Sequence, residues 1–166
     1  MNMMFARVVS GGQTGVDRAA LDAALELEIP CGGWCPQGRK AEDGPLAARY
    51  PLTETPSAEY AQRTEWNVRD SDGTLVLTRG APTEGTAFTI ATAARLGRPC
   101  LVLDLDERPA ESAVLGWAAD HGIRVLNVAG PRESKCPGIY EEASQLLRKL
   151  LSLSTIQSAS RLPSFR

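Results

Sequence analysis

Five short, nearly continuous apolar runs alternate with five helical stretches along this chain, and that alternation narrows the fold more than any other feature. The runs cover residues 5–9, 31–34, 74–77, 99–103 and 123–128. The helical patterns cover residues 17–27, 58–69, 85–96, 111–121 and 139–151. A strand that is apolar on both faces is buried on both faces, which requires helices above and below a parallel sheet. The expected fold class is therefore α/β: three-layered, doubly wound, with a mainly parallel sheet. At 166 residues, one domain over 1–151 accounts for the whole pattern. Residues 152–166 are serine-rich and poor in apolar content, and read as a disordered tail. Residues 36–56 form a long irregular segment, which in a compact domain more often serves function than mere connection.

Charge and composition exclude several classes. The net charge is −2, so no broad nucleic-acid-binding surface is expected. No apolar run reaches the roughly 18–20 residues that cross a bilayer, so no membrane partner is expected. The N-terminus has no basic segment leading into an apolar one, and the cytoplasm is the expected location. There are four cysteines and one histidine, a poor inventory for a structural metal, and none is expected. Reduced thiols are the expectation, with Cys100 in the core and Cys136 in an exposed loop.

In open α/β sheets ligands bind beyond the C-terminal ends of the strands, so the residues that follow each strand matter most. After the first strand comes Ser10-Gly11-Gly12-Gln13-Thr14-Gly15-Val16-Asp17-Arg18. A glycine-rich turn into a helix N-terminus gathers free backbone N–H groups at the positive end of the helix dipole. The stretch is neither G-x-G-x-x-G nor G-x-x-x-x-G-K-[ST], so neither standard nucleotide fingerprint applies. Its ordinary reading is a tight turn; its functional reading is an oxyanion cradle. A second such element, Thr83-Glu84-Gly85-Thr86, opens the helix over 85–96, with Thr83 as cap. Together they place two helix N-termini on one sheet edge. Arg18, Arg39, Arg79, Arg132 and Lys135 fall in the same set of loops and give that edge a focused positive charge. Asn67 is positioned to meet a ribose or base, and Asp70 to cap its own helix. Trp34 and Trp66 offer faces for stacking, with core packing as the alternative.

Five motifs in order resemble one family. They are Ser-Gly-Gly-Gln-Thr-Gly-Val-Asp-Arg at 10–18, Gly-Gly-Trp-Cys-Pro at 32–36, Ala-Glu-Asp-Gly-Pro at 41–45, Thr-Glu-Trp-Asn-Val-Arg-Asp-Ser-Asp at 64–72 and Asn-Val-Ala-Gly-Pro-Arg-Glu-Ser-Lys at 127–135. Over residues 5–151 the chain resembles the bacterial molybdenum carrier proteins, themselves similar to the algal molybdenum cofactor carrier. That family lies within the SLOG group of Rossmann-like folds, alongside the LOG-type phosphoribohydrolases. The resemblance implies a homodimer or homotetramer that holds molybdenum cofactor as cargo and passes it to apo-molybdoenzymes. It also separates carrier from hydrolase. The LOG motif P-G-G-x-G-T-x-x-E carries a glutamate needed for N-glycosidic cleavage, and Thr89 stands at that place in Pro82-Thr83-Glu84-Gly85-Thr86-Ala87-Phe88-Thr89. A threonine supplies no carboxylate as general base or oxocarbenium stabiliser.

The expected function is therefore binding of a phosphorylated pterin or nucleotide-like ligand, as a molybdenum cofactor carrier. No catalytic residue is assigned. Two alternatives stay open: hydrolysis of a nucleotide derivative with Asp17 or Glu84 as acid or base, and nucleotide sensing. The expected ligand-binding residues are Ser10, Gly11, Gly12, Gln13, Thr14, Gly15, Asp17, Arg18, Trp34, Asn67, Arg79, Gly85, Thr86, Ser134 and Lys135. Asp17, Glu42 and Asp43 offer carboxylates for a Mg²⁺ accompanying a phosphate.

Overall fold

The computed structural model describes residues 3–159. Its centre is a five-stranded, all-parallel sheet in the order β2-β1-β7-β5-β6. The strands are β1 (Arg7–Val9), β2 (Cys31–Gly32), β5 (Gly73–Thr78), β6 (Cys100–Asp104) and β7 (Val125–Ala129). Two short strands, β3 (Trp34–Cys35) and β4 (Thr53–Glu54), pair in a separate parallel ribbon. The chain passes from β2 to β3 through Gly33 at φ 122°, so one apolar run serves two sheets. The ribbon has no counterpart in the sequence reading, because two-residue strands leave no period to read.

The two faces of the sheet differ in chemistry. Val8, Leu75, Leu77, Leu126 and Val128 project to one side and join the main core. Helices α1 (Val16–Glu26), α4 (Glu111–Asp120) and α5 (Ile139–Ala159) cover that side with Ala20, Ala24, Val114, Leu147 and Leu150. Side chains alternate along a strand, so the other face receives Thr74, Thr78 and Asn127 beside Val9 and Val76, all buried. Helices α2 (Tyr60–Arg69) and α3 (Glu84–Arg95) cover this second face. Most of their buried residues are also polar: Arg63 and Asn67 on α2, Thr86, Thr89 and Thr92 on α3, beside Val68 and Ala93. One layer is therefore a conventional oily core, and the other sets several buried polar groups among a few apolar ones. Buried polar groups need partners, and where the protein supplies none a ligand or water must.

Helix α5 runs past residue 151 to Ala159, which corrects the expectation of a tail from residue 152. Leu150, Leu151 and Ser154 are buried, and Ser154 and Thr155 donate to the carbonyls of Leu151 and Ser152. Hydroxyls bonded to their own helix relieve the serine-rich sequence of its preference for coil. Residues 160–166 lie outside the described residues. Among the described residues no helix is long and apolar enough to cross a membrane.

The irregular segment over 36–56 is held as firmly as the helices. Arg39 donates to the carbonyls of Leu46, Ala47, Tyr50 and Leu52, so one guanidinium organises the loop around itself. Asp22 on α1 accepts from Tyr50 and Tyr140 at 2.6 Å each, which ties the loop and α5 to the same helix. Tyr140→Phe is expected to cost about 1.5 kcal/mol, because a hydrogen bond to a carboxylate is worth more than a neutral one. Urea unfolding should show a lower midpoint at unchanged slope; an unchanged midpoint would mean that Tyr50 alone holds Asp22.

Candidate functional site

A cavity of about 830 Å³ opens between the polar face of the sheet and helices α2 and α3. Its floor is Asn127, Val128 and Ala129 of β7. One wall carries Tyr60, Arg63, Thr64 and Asn67 from α2. These lie at i, i+3, i+4 and i+7, the stripe a core helix would fill with apolar residues. The opposite wall carries Thr83, Glu84, Gly85, Thr86 and Thr89 from the start of α3. Gly11, Gln13 and Asp17 close one end, and Arg132 and Lys135 reach in from the loop after β7.

The start of α3 is an unfinished helix end. Thr83 occupies the cap position, yet its side chain makes no capping bond. Gly85 faces open space, with nothing within 4 Å of where a Cβ would stand. The Thr86 hydroxyl is buried without a partner, its residue 3% exposed. First-turn N–H groups have no partner within their own helix, and they carry the positive end of the dipole. Thr89, by contrast, donates to the Gly85 carbonyl one turn back.

The first glycine loop is arranged differently. The Gly12 amide donates to Ser10 Oγ, the Gln13 amide to Asp17 Oδ2 and the Thr14 amide to Gln13 Oε1. A Cβ on Gly12 would stand 2.7 Å from Leu46 Cδ1, and one on Gly15 would meet the Pro131 carbonyl. The irregular segment therefore packs down on this loop. Glu42 reaches this loop from that segment: its carboxylate accepts from the Thr14 hydroxyl, the Ser134 hydroxyl and the Ser134 amide. Burial opposes the charge on Glu42, but the bonds from Ser134 and Thr14 outweigh it and hold the carboxyl below its usual range.

The expected site residues thus divide. Gly11, Gln13, Asp17, Asn67, Gly85, Thr86 and Lys135 line the cavity. Thr14 and Ser134 hold Glu42, whereas Ser10 donates to the Asp17 carbonyl, Gly12 faces Leu46 and Leu52, and Gly15 faces the Pro131 carbonyl. Arg18 is bidentate to Asp43 and also donates to the Gly12 carbonyl. Arg79 is paired with Glu142 and Asp106 and donates to the Pro137 carbonyl, which fastens a loop to α5. Trp34 packs edge-on against Trp66 at 4.8 Å, and its indole N–H donates to Asp70. Asn67 lies at the cavity with both ends of its amide bonded to the Trp34 backbone. Of the basic edge, Arg132 and Lys135 alone reach the cavity. Arg132 sits 5.2 Å from the centre of the Tyr60 ring, with Lys40 at 4.7 Å.

Arg63, Tyr60 and Asn127 escaped the sequence reading as site residues. The polar stripe on α2 was the available signal, since a helix that covers a sheet with arginine and asparagine is lining something other than a core. Arg63 donates to the Gly11 carbonyl at 2.7 Å and lies 3.3 Å from Asp17 Oδ2. Burial pushes the Asp17 carboxyl up to about 6, against the pull of Arg63 and of the Gln13 amide. All four cysteines are free, Cys35 buried and Cys31, Cys100 and Cys136 half-buried. Cys100 and Cys136 thus sit between the core and exposed positions expected of them. Among the described residues no cluster of three His, Cys, Asp or Glu side chains is placed to hold a metal.

No curated protein matches the chain. A crystal structure named "Putative molybdenum carrier protein", from Syntrophus aciditrophicus SB, matches at 45% identity and a TM-score of 0.86. The match covers 91% of this chain and 98% of that one. The profile of the circularly permutated YpsA SLOG family matches residues 8–151. With its parallel sheet, its cavity beyond the strand ends and a match over most of its length, the chain belongs to the circularly permutated YpsA SLOG family.

Proposed function

We propose that the chain binds a phosphorylated pterin or nucleotide-like ligand in this cavity and acts as a molybdenum cofactor carrier. One observation carries the reading. At the start of α3 an uncapped helix end, an open glycine and a buried hydroxyl without a partner coincide at the wall of one cavity. A phosphate would accept from the first-turn N–H groups and the Thr86 hydroxyl, with Lys135 and Arg132 balancing its charge. The carrier role is supported by the name of the relative from Syntrophus aciditrophicus. The Thr89 hydroxyl, bonded within its own helix, favours holding a ligand over cleaving it. Transfer to apo-molybdoenzymes and assembly as a homodimer or homotetramer belong to the same proposal. A Mg²⁺ bound with the phosphate would find Asp17 at the cavity, whereas Asp43 is engaged by Arg18 and Glu42 by Thr14 and Ser134.

Gly85→Asp tests the site. An aspartate in the first turn of a helix suits the dipole, so the variant should fold with a Tm equal to or above wild type. Its charge would stand where the phosphate binds, and affinity for ribose 5-phosphate should fall at least tenfold, about 1.4 kcal/mol. Unchanged affinity in a folded variant would remove phosphate from this end of the cavity. Native mass spectrometry with elemental analysis tests the cargo. Molybdenum and a pterin should co-purify in near-equal amount, and a nucleotide without molybdenum would overturn the carrier role.

A further inference from the structure

Among the described residues four buried side-chain polar atoms lack a partner, and three belong to residues that line this one cavity: Gln13 Nε2, Arg63 Nε and Thr86 Oγ1. Thr86 belongs to the phosphate end. Gln13 and Arg63 form a second group, and their chemistry is fixed by what their other atoms do. Gln13 Oε1 accepts from the amides of Thr14 at 3.1 Å and Glu42 at 2.8 Å. The amide is therefore locked in one orientation, and its NH₂ end is the end left over. Arg63 is engaged through one terminal nitrogen with Gly11 and Asp17, which leaves Nε–H over. Both leftover groups are donors. Both residues are more than nine-tenths buried, at 4% and 8% exposure. A buried donor without an acceptor is costly, so two on residues of one wall point to an occupant that accepts.

The charge of this wall narrows the occupant further. Arg63 is paired with Asp17 at 3.3 Å, so donors are offered without net positive charge. A second phosphate would meet the Asp17 carboxylate there, whereas the phosphate end has Arg132 and Lys135. A neutral acceptor suits the wall better. Resting on the phosphate reading above, we infer that Gln13 and Arg63 recognise the acceptor edge of the ligand's ring, a carbonyl oxygen beside a ring nitrogen. Both 6-oxopurines and 4-oxopteridines present that edge. Adenine presents an amino donor in place of the carbonyl, and donor would face donor. Glutamine often contacts adenine with both ends of its amide, but here the oxygen end is occupied.

Calorimetric titration of the full chain with GMP, a 4-oxopteridine monophosphate, AMP and ribose 5-phosphate tests this. At least one oxo-ring monophosphate should bind about tenfold more tightly than AMP. Gln13→Glu keeps an oxygen for the Thr14 and Glu42 amides and replaces the free donor with an acceptor. Arg63→Lys keeps the charge opposite Asp17 and removes Nε–H. The ratio to AMP is the readout, because added charge at position 13 weakens every phosphate alike. That ratio should fall to about one in Gln13→Glu and shrink in Arg63→Lys. AMP binding as tightly as both oxo rings, or a ratio that survives both variants, overturns the inference while ribose 5-phosphate binding keeps the phosphate reading alive. Failure of every probe to bind, ribose 5-phosphate included, overturns both.

Discussion

Gly15→Ala should destabilise the fold by about 3 kcal/mol or more, the largest expected effect of a single methyl group in this protein. Gly15 caps α1 at φ 77°, ψ −130°, a region closed to residues with a Cβ. The added carbon would also meet the Pro131 carbonyl and come within 2.9 Å of the Glu133 amide. Both obstacles are backbone, so no rotamer change relieves them. Backbone movement would disturb the bond from Val16 N–H to the Pro131 carbonyl, which joins the start of α1 to the loop after β7. Denaturant unfolding at pH 7 should place the variant well below wild type, and a loss under 1 kcal/mol would mean that the two loops separate freely. Gly85→Ala makes the contrast, because open space and a helical position should leave stability the same or slightly higher.

Arg63→Met is expected to cost about 3 kcal/mol at pH 7, since removing one partner of a buried ion pair leaves the other uncompensated. The loss should depend on pH with a definite sign. Asp17 titrates near 6 in the folded protein, above the value near 4 of an unfolded aspartate. The folded state therefore binds more protons between pH 4 and 6, and this group makes stability fall as pH rises through that window. Without Arg63 the principal force lowering the Asp17 pKa is gone, and the window extends above 6. The difference between wild type and Arg63→Met should be largest at pH 7–8 and should shrink toward pH 5, where a neutral Asp17 needs no counter-charge. Only the difference is diagnostic. Asp43 and Asp70 titrate low through their bonds to Arg18 and Arg69, and their linkage runs the opposite way in both proteins. A difference independent of pH would show that Arg63 acts through the Gly11 carbonyl and packing rather than through Asp17.

The fold was legible because each strand of the large sheet is marked by an apolar run and each helix by its own period. Boundaries moved by at most two residues, except at the end of α5. There a polar sequence disguised a helix, in which the Ser154 and Thr155 hydroxyls bond to their own backbone. The candidate cavity was legible in outline, since the start of α3 and the loop after β7 do face it. The first glycine loop shows why outline is not detail. Its glycines are required for close approach, but what approaches is Leu46, Leu52 and the loop after β7. Glu42 comes from a segment with no period at all, and no local pattern announces that its carboxylate closes the loop. Arg63 was hidden for the opposite reason. It lies in an ordinary-looking helix, and its place is apparent only when the face it covers is known to be polar.

The order of the strands has a consequence for how the chain is made. β1 lies between β2 and β7, with Arg7 opposite Val125, and α1 packs against α5. β1 therefore emerges well before β7, the strand that completes its pairing. Until β7 emerges, Val8 and the alanine face of α1 have only β2 and each other for cover. Long-range parallel pairing of this kind is slow, and the open edge of β1 is exposed meanwhile. An apolar surface left waiting during synthesis thus ends between β2 and β7, with Val8 fully buried.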